Sequence, residues 1–191
     1  MIGLLPKSLI VEDIEYPINS DYRAILIALQ ALNDNALSPM NKVLTLLEII
    51  FTPVATEDNP DPQTNIPPNY EEASKEIKKF IDVEQEVPKS KLNVKTIDYK
   101  QDEQILFSAV NAVTGYDIRE TSYMHWWTFY GLCQAIDRES LMSHITNIRY
   151  KRSTGEKLEK YEQKFYRENA HLIDIKTSGD FYDEMVKQLR R

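Results

Sequence analysis

Apolar residues recur along this chain mostly at helical spacing, after one short alternating stretch near the start. Residues 9–11 and 14–17 are two β-prone runs on either side of Glu12-Asp13, which predicts a β-hairpin. A helix is expected next, capped by a residue within 19–21 and ending near Asn33. The dipeptide Ser38-Pro39 then predicts the start of a second helix, because proline is tolerated at the first helical position. Pro53 ends that helix.

The middle of the chain changes composition twice. Residues 53–68 contain five of the nine prolines and few apolar residues, which predicts a flexible linker. Residues 69–82 return to helical spacing with a strongly charged opposite face, and 83–97 are polar again. The predicted amphipathic helix has two possible arrangements. It either docks on its own core or acts as an arm that packs on a neighbouring subunit.

The second half of the chain is more continuously helical. A helix is expected from a cap at Asp98 to Gly115. An apolar helix that other helices surround is expected next, beginning at either Asp117 or Thr121 and including residues 122–136. Further helices are expected over 139–149, with Leu141, Ile145 and Ile148 facing inward, over a charged stretch after Gly155, and over 180–189. The fold class is therefore mainly α, with a small N-terminal β-hairpin and a flexible proline-rich linker in the middle.

This pattern also predicts a domain organisation. Residues 1–52 form an N-terminal part with the hairpin and two helices, and 53–97 form the linker that carries the helix 69–82. Residues 98–191 form a C-terminal helical part, which we expect to pack with the N-terminal part as one domain.

Composition argues against several kinds of enzyme. The chain has only five glycines, too widely spaced for a G-x-G-x-x-G or Walker A phosphate loop. One cysteine and three scattered histidines show no zinc-ligand spacing. His125 shares a helical stripe with apolar residues, so we interpret it as a core residue, and Cys133 as an inert thiol. We expect no catalytic residue, no metal site and no cofactor.

Charge and hydropathy limit the partners. The net charge is −7, although residues 138–168 hold eight basic and five acidic residues. Glutamates interleave with the basic residues after Arg149, so a self-paired helix is favoured over binding to nucleic acid. No apolar run is long enough for a membrane span, and the N-terminus does not resemble a signal peptide. We expect a soluble, intracellular protein.

Two strings are distinctive enough to indicate a family. The string Tyr-Met-His-Trp-Trp-Thr-Phe at 123–129, with Ile148-Arg149 and the lysine-rich stretch after it, resembles the phage "gene product fifteen" family. This family is encoded in siphophages and prophages of Gram-positive bacteria, just ahead of the tape-measure gene. The segment Tyr-Pro-Ile-Asn-Ser-Asp-Tyr-Arg at 16–23 is similar to the start of the same family. The resemblance covers about 9–50 and 98–170, and not 53–97.

The resemblance implies a function. It indicates a non-enzymatic tail-assembly chaperone that keeps the tape-measure protein soluble in the cytoplasm of the bacterial host and is absent from the mature virion. Expected partners are the tape-measure protein, other tail-assembly proteins and further copies of the chain. The alternatives are a minor structural tail protein of the virion and a nucleic-acid-binding phage regulator. The residues expected at a partner interface are Tyr70, Ile77, Phe80, Ile81, Met124, Trp126 and Trp127.

Overall fold

The computed structural model describes residues 3–55, 59–84 and 95–175. They form two strands, β1 and β2, seven α-helices, α1 to α7, and one short 3₁₀ turn at Ile118–Glu120. The elements are β1 Ser8–Val11, β2 Ile14–Pro17, α1 Tyr22–Leu32, α2 Pro39–Ile50, α3 Tyr70–Ile81, α4 Glu103–Thr114, α5 Trp126–Gln134, α6 Leu141–Thr154 and α7 Lys160–Ile173. The predicted mainly α fold class with an N-terminal hairpin is confirmed.

The chain divides into two compact units. The first combines Met1–Pro88 with Arg119–Gln134, and the second combines Lys89–Ile118 with Ala135–Arg191. The first unit therefore holds the hairpin with α1, α2, α3 and α5, and the second holds α4, α6 and α7. That 98–191 packs with the N-terminal part as one domain stays a prediction. The predicted helix 180–189 lies outside the described residues.

The hairpin of the first unit turns at the residues that the sequence predicts. Glu12 and Asp13 both adopt positive φ, 51° and 63°, which matches a two-residue turn of the type that suits strand twist. The antiparallel register pairs Leu9 with Tyr16 and Val11 with Ile14. Val11 and Tyr16 are buried. The face of the hairpin that carries Val11 and Tyr16 therefore packs against the rest of the first unit.

Helices α1 and α2 begin and end at local signals. The carboxylate of Asp21 accepts a hydrogen bond from the backbone N–H of Arg23 and caps α1, and Asn33 is its C-cap residue. The hydroxyl of Ser38 caps α2, with Pro39 in the first turn. The predicted limits of both helices are confirmed.

The flexible linker predicted for the middle of the chain is not confirmed. The backbone N–H of Asn65 donates to the carbonyl of Phe51 at 3.1 Å, and the hydroxyls of Thr52 and Thr64 lie 2.6 Å apart. Pro67 is buried. In its described part, the segment after α2 is therefore a loop whose two ends are held together by these hydrogen bonds. The chain packs on the first unit again before α3 begins.

Helix α3 docks on its own unit, as the first of the two predicted arrangements expects. Asn69 caps it through a hydrogen bond from the backbone N–H of Glu72. Ala73, Ile77 and Phe80 are its buried residues, and it packs against α2 and β1. Its amphipathic pattern is therefore satisfied inside the chain.

The second unit has a compact aliphatic core. Ile145 and Ile148 of α6 pack with Ile173 of α7, and Ile105, Leu158, Phe165, Tyr166 and Leu172 surround them. Gly115 ends α4 in the left-handed conformation, as predicted. Gly155 ends α6 in the same conformation, so this helix continues to Thr154, beyond its predicted end at Arg149. The prediction that Leu141 faces inward is wrong, because Met142 takes the buried position and Leu141 is exposed.

Two helix starts differ from the sequence prediction. Helix α4 begins at Glu103 with Asp102 as its N-cap residue, and Asp98 instead accepts hydrogen bonds from the backbone N–H groups of Lys100 and Gln101. Helix α5 begins only at Trp126 and buries just Trp126 and Phe129. It is therefore shorter and less enclosed than the predicted central helix. No helix of the described residues is long and apolar enough to cross a membrane.

Candidate partner-binding site

The seven residues predicted at a partner interface lie in two places within the first unit. Four of them are on α3, two are the first residues of α5, and Met124 lies just before α5. Tyr70 is 43% exposed, and Ile81 and Trp127 are half-buried. The buried members are Ile77, Phe80, Met124 and Trp126. The structure brings the two groups together, and a role of these side chains in partner binding stays a prediction.

The tryptophan pair joins the two groups through backbone hydrogen bonds. The indole N–H of Trp126 donates to the carbonyl of Ile81, and that of Trp127 donates to the carbonyl of Phe80, both at 2.9 Å. These carbonyls belong to the last turn of α3, and that of Phe80 also accepts a hydrogen bond from the backbone N–H of Val83 at 3.1 Å. The two indoles therefore hold the C-terminal end of α3 on the first unit.

The segment before α5 is fixed by the start of α1. The N–H of Trp126 donates to the carbonyl of Ser20 at 2.8 Å, and the N–H of Tyr22 donates to the carbonyl of Met124 at 3.0 Å. The carboxylate of Asp21 also accepts from the N–H of Met124 at 3.2 Å. Residues far apart in sequence thus form a short antiparallel bridge, which explains why α5 begins so late.

His125 lies inside this bridge as a buried core residue, as the sequence predicts. Its Nδ1 accepts a hydrogen bond from the backbone N–H of Trp127 at 3.0 Å, so the proton is on Nε2, which donates to the carbonyl of Pro6 at 2.8 Å. Burial lowers the pKa of His125, and the positive charge of Lys7 adds to this, while the Pro6 carbonyl partly opposes it. The ring is therefore neutral at pH 7. It ties the start of α5 to the chain at Pro6, beside the bridge to the start of α1.

Arg149, which accompanies the first distinctive string, forms a buried ion pair in the second unit. The guanidinium of Arg149 binds the carboxylate of Asp102 through two hydrogen bonds of 2.5 and 2.9 Å. It also donates to the carbonyls of Leu172 and Ile173, each at 2.7 Å, and of Thr96 at 2.9 Å. All five donors are used, and Arg149 joins α6 to the cap of α4 and the end of α7.

Arg149 differs from the basic residues that follow it, because it is buried and its acidic partner lies outside the basic stretch. Arg149 follows Ile145 by four positions, so it continues the buried stripe of α6. That spacing is the signal that could have revealed its burial. Asp102 was missed as its partner because nothing local to residues 98–103 indicates a long-range pair.

Lys151 and Arg152, the next basic residues after Arg149, also bind acidic side chains. Lys151 binds Glu162 at 2.7 Å, and Arg152 binds Asp174. Burial alone would raise the pKa of Glu162, but hydrogen bonds from Lys151, the Glu159 backbone and Asn147 hold it below its usual value. Lys151 thus pairs with a glutamate of the same stretch, as predicted, whereas Arg152 pairs with an aspartate beyond it.

The thiol of Cys133 is protonated in the folded chain. Burial raises the pKa of the Cys133 thiol to about 12, so the nucleophilic thiolate is almost absent at neutral pH. Among the residues that the structure describes, no group of three histidine, cysteine or acidic side chains could hold a metal ion.

Fold and side-chain clusters together define a mainly α-helical protein in which the distinctive aromatic and charged residues cap and join helices. A family model described as Bacteriophage Gp15 protein matches residues 1–174. The chain therefore belongs to the bacteriophage Gp15 family, as its distinctive strings indicate. Comparison with curated proteins and with solved structures finds no match. Family membership indicates a phage protein.

Proposed function

We propose that this protein is a non-enzymatic tail-assembly chaperone, which binds the tape-measure protein of its phage and keeps it soluble in the host cytoplasm until the tail assembles. The proposal combines family membership with the surface of the first unit. A chaperone for a long helical client needs accessible apolar side chains and enough net charge to keep the complex in solution.

The observation that carries the proposal is an exposed apolar pair on α2. Met40 is 61% exposed and Leu44 lies one turn further along the same helix face, also exposed. Ile27 on α1 adds another exposed aliphatic side chain, and α1 packs against α2. The net charge of −7 meets the second need. Pairing of Lys151 and Arg152 with acidic residues also favours this proposal over a role in binding nucleic acid.

Co-expression tests the proposal directly. The tape-measure protein of the same phage is produced alone, with the wild-type chain, or with Met40→Gln/Leu44→Gln. We expect the wild type to raise its soluble yield and to co-purify with it. The variant should bind the tape-measure protein at least about tenfold more weakly than the wild type does. Each apolar side chain buried on binding contributes roughly 1.5–3 kcal/mol.

A matched control replaces two exposed apolar residues of the second unit by the same amide, Leu141→Gln/Tyr161→Gln. This control should behave as wild type. No gain in soluble tape-measure protein with the wild-type chain would refute the chaperone function. Equal loss in both variants would refute the role of the α2 pair.

Analysis of purified particles separates the proposal from its structural alternative. A chaperone should be absent from mature virions by mass spectrometry. Detection of the protein in a fixed copy number per particle would instead identify it as a minor tail component.

A further inference from the structure

One side of α2 runs from the core of the first unit out to solvent. Four apolar residues share this side at positions i, i+4, i+7 and i+11, namely Met40, Leu44, Leu47 and the cap residue Phe51. Phe51 and Leu47 are fully buried, whereas Leu44 is 38% and Met40 61% exposed. An apolar strip that begins in the core is therefore left uncovered over the first two turns of α2. We name Met40 and Leu44 the open seam.

Burial decreases toward the same end of both helices of the α1–α2 pair. At the C-terminal end of α2, the ring centroids of Phe51 and Tyr16 lie 5.9 Å apart, and the N–H of Asn19 donates to the carbonyl of Ile50 at 2.7 Å. Helix α1, which packs against α2, buries no residue after Ala28. The open seam therefore continues a helix-packing surface toward the loop 33–38, and an added helix is the element that fits it.

The charges around the open seam are acidic. Glu48 is exposed and lies four positions after Leu44, so its carboxylate borders the seam. Lys42 lies two positions from each seam residue and faces away from both. The only other charged residue within 24–47 is Asp34, which is exposed in the loop ahead of α2. The first unit as a whole holds seven basic and sixteen acidic residues, a formal charge of −9. Its field therefore favours a cationic partner.

We propose that the open seam binds an amphipathic helix that carries an aliphatic stripe with lysine or arginine on both sides. The stripe covers Met40 and Leu44, and the cationic side chains reach Glu48 and the acidic surface of the first unit. The proposal rests on the proposed function insofar as this helix belongs to the tape-measure protein. A second copy of the chain fits the seam less well, because it would bring two units of charge −9 into one interface.

Three fluorescently labelled peptides test the class of helix. The lysine peptide has leucines at positions i, i+4, i+7 and i+11 of an alanine helix and lysines on both sides of this stripe. The glutamate peptide replaces the lysines with glutamates, and the scrambled peptide spreads the leucines of the first around the helix. We expect the wild-type chain to bind the lysine peptide at least about tenfold more tightly than the others, because only this peptide matches both the apolar spacing and the charge. No binding of the lysine peptide, or equal binding of the lysine and glutamate peptides, would overturn the proposal.

Two variants of the full chain locate the apolar contact. Met40→Gln/Leu44→Gln should bind the lysine peptide at least about tenfold more weakly than the wild type does. The matched control Ile10→Gln/Ile14→Gln changes two exposed aliphatic residues of the hairpin in the same unit and should bind as the wild type does. All four side chains are exposed, so both variants should keep the far-UV circular dichroism of the wild type. An equal loss of binding in the two variants is incompatible with the open seam as the site.

A charge reversal tests the border of the seam. Glu48→Lys should lower the affinity for the lysine peptide about threefold or more and raise that for the glutamate peptide, because attraction at an exposed site becomes repulsion. Glu120→Lys makes the same change in net charge at another exposed position of the first unit, and its effect should be smaller. Equal effects of the two substitutions would overturn the proposed contact at Glu48.

Two further measurements separate this proposal from a second copy and from the function on which it rests. Analytical ultracentrifugation should give the same mass for the wild type and Met40→Gln/Leu44→Gln, and a dimer that only the wild type forms would overturn the proposal. Capture of the tape-measure protein that Met40→Gln/Leu44→Gln weakens and Glu48→Lys does not would leave the chaperone function standing and overturn the cationic class of helix. Peptide binding as predicted, with no gain in soluble tape-measure protein, would support the open seam and refute the chaperone function.

Discussion

Substitution of Arg149 by methionine is the sharpest test of what holds the second unit together. Methionine keeps an unbranched side chain of similar reach and removes the guanidinium, which is 4% exposed in the folded chain. The variant loses both hydrogen bonds to Asp102 and those to three backbone carbonyls. The carbonyl of Leu172 keeps a second donor, the side-chain amide of Gln101 at 3.2 Å.

The loss of folding free energy in Arg149→Met follows from the carboxylate of Asp102, which stays buried. Asp102 is 1% exposed and keeps the backbone N–H of Asp98 at 2.8 Å as a donor, but loses its counter-charge. Removal of one partner from a buried ion pair costs about 3–5 kcal/mol. Since a domain is stable by only about 5–15 kcal/mol, this loss is a large part of the total. For a chain of this size it corresponds to a fall in Tm of roughly 6–20 °C.

The assay must report on the second unit. Both tryptophans belong to the first unit, so their fluorescence is a poor probe here. We expect thermal melts by circular dichroism to shift, and amide hydrogen exchange in α6 and α7 to accelerate.

The control is Arg152→Met, the same substitution three residues further along α6. The Arg152 side chain is 40% exposed and binds Asp174 at the surface, and exposed pairs contribute about 1 kcal/mol or less. An Arg149→Met variant that is no less stable than Arg152→Met would refute the reasoning. In the double variant Asp102→Asn/Arg149→Met, we expect a loss smaller than the sum of the two single losses, because no buried charge is left unpaired.

Three further predictions concern pH, backbone conformation and thiol reactivity. Because the pKa of His125 is lowered in the folded chain, the unfolded chain binds the proton first below about pH 6.5, so stability should fall as the pH falls from 7.5 to 5.5. Urea midpoints at both values check this, and an equal fall in His125→Asn would contradict it. Gly155→Ala should destabilise by about 1 kcal/mol in the same assay because φ is +78°, whereas Gly131→Ala, within α5 and with open space around it, should not. Cys133 should react with a disulfide reagent at pH 8 at least about a hundredfold more slowly than free cysteine, given its pKa of about 12, and at an ordinary rate in urea. Rapid modification of the folded chain would contradict this burial.

Elements set by local chemistry could be predicted from the sequence. Ser38-Pro39, Asn69 and the glycines 115 and 155 mark helix ends because a cap depends on the residue itself and its near neighbours. The hairpin turn at Glu12-Asp13 is local in the same sense. These positions agree with the structure.

Elements set by distant partners could not be predicted. The apolar run over 121–136 indicates a long helix, but the backbone of Met124 pairs with Tyr22, and the helix begins only at Trp126. The start of α4 moves from Asp98 to Asp102 in a similar way, because Asp102 receives Arg149 from α6. In both cases a contact about 50 to 100 residues away in sequence outweighs the local preference.

The strings by which the family is recognised are also the wrong place to search for the client surface by mutation. His125, Trp126 and Arg149 are buried, and each joins segments that lie far apart in sequence. Substitution of any of them leaves buried donors or acceptors unpaired, which costs stability before it affects binding. A variant in these strings that loses a partner would therefore report unfolding. Exposed positions such as Met40 and Leu44 can change binding while the core stays intact, and only variants of that kind can separate a chaperone surface from the scaffold that supports it.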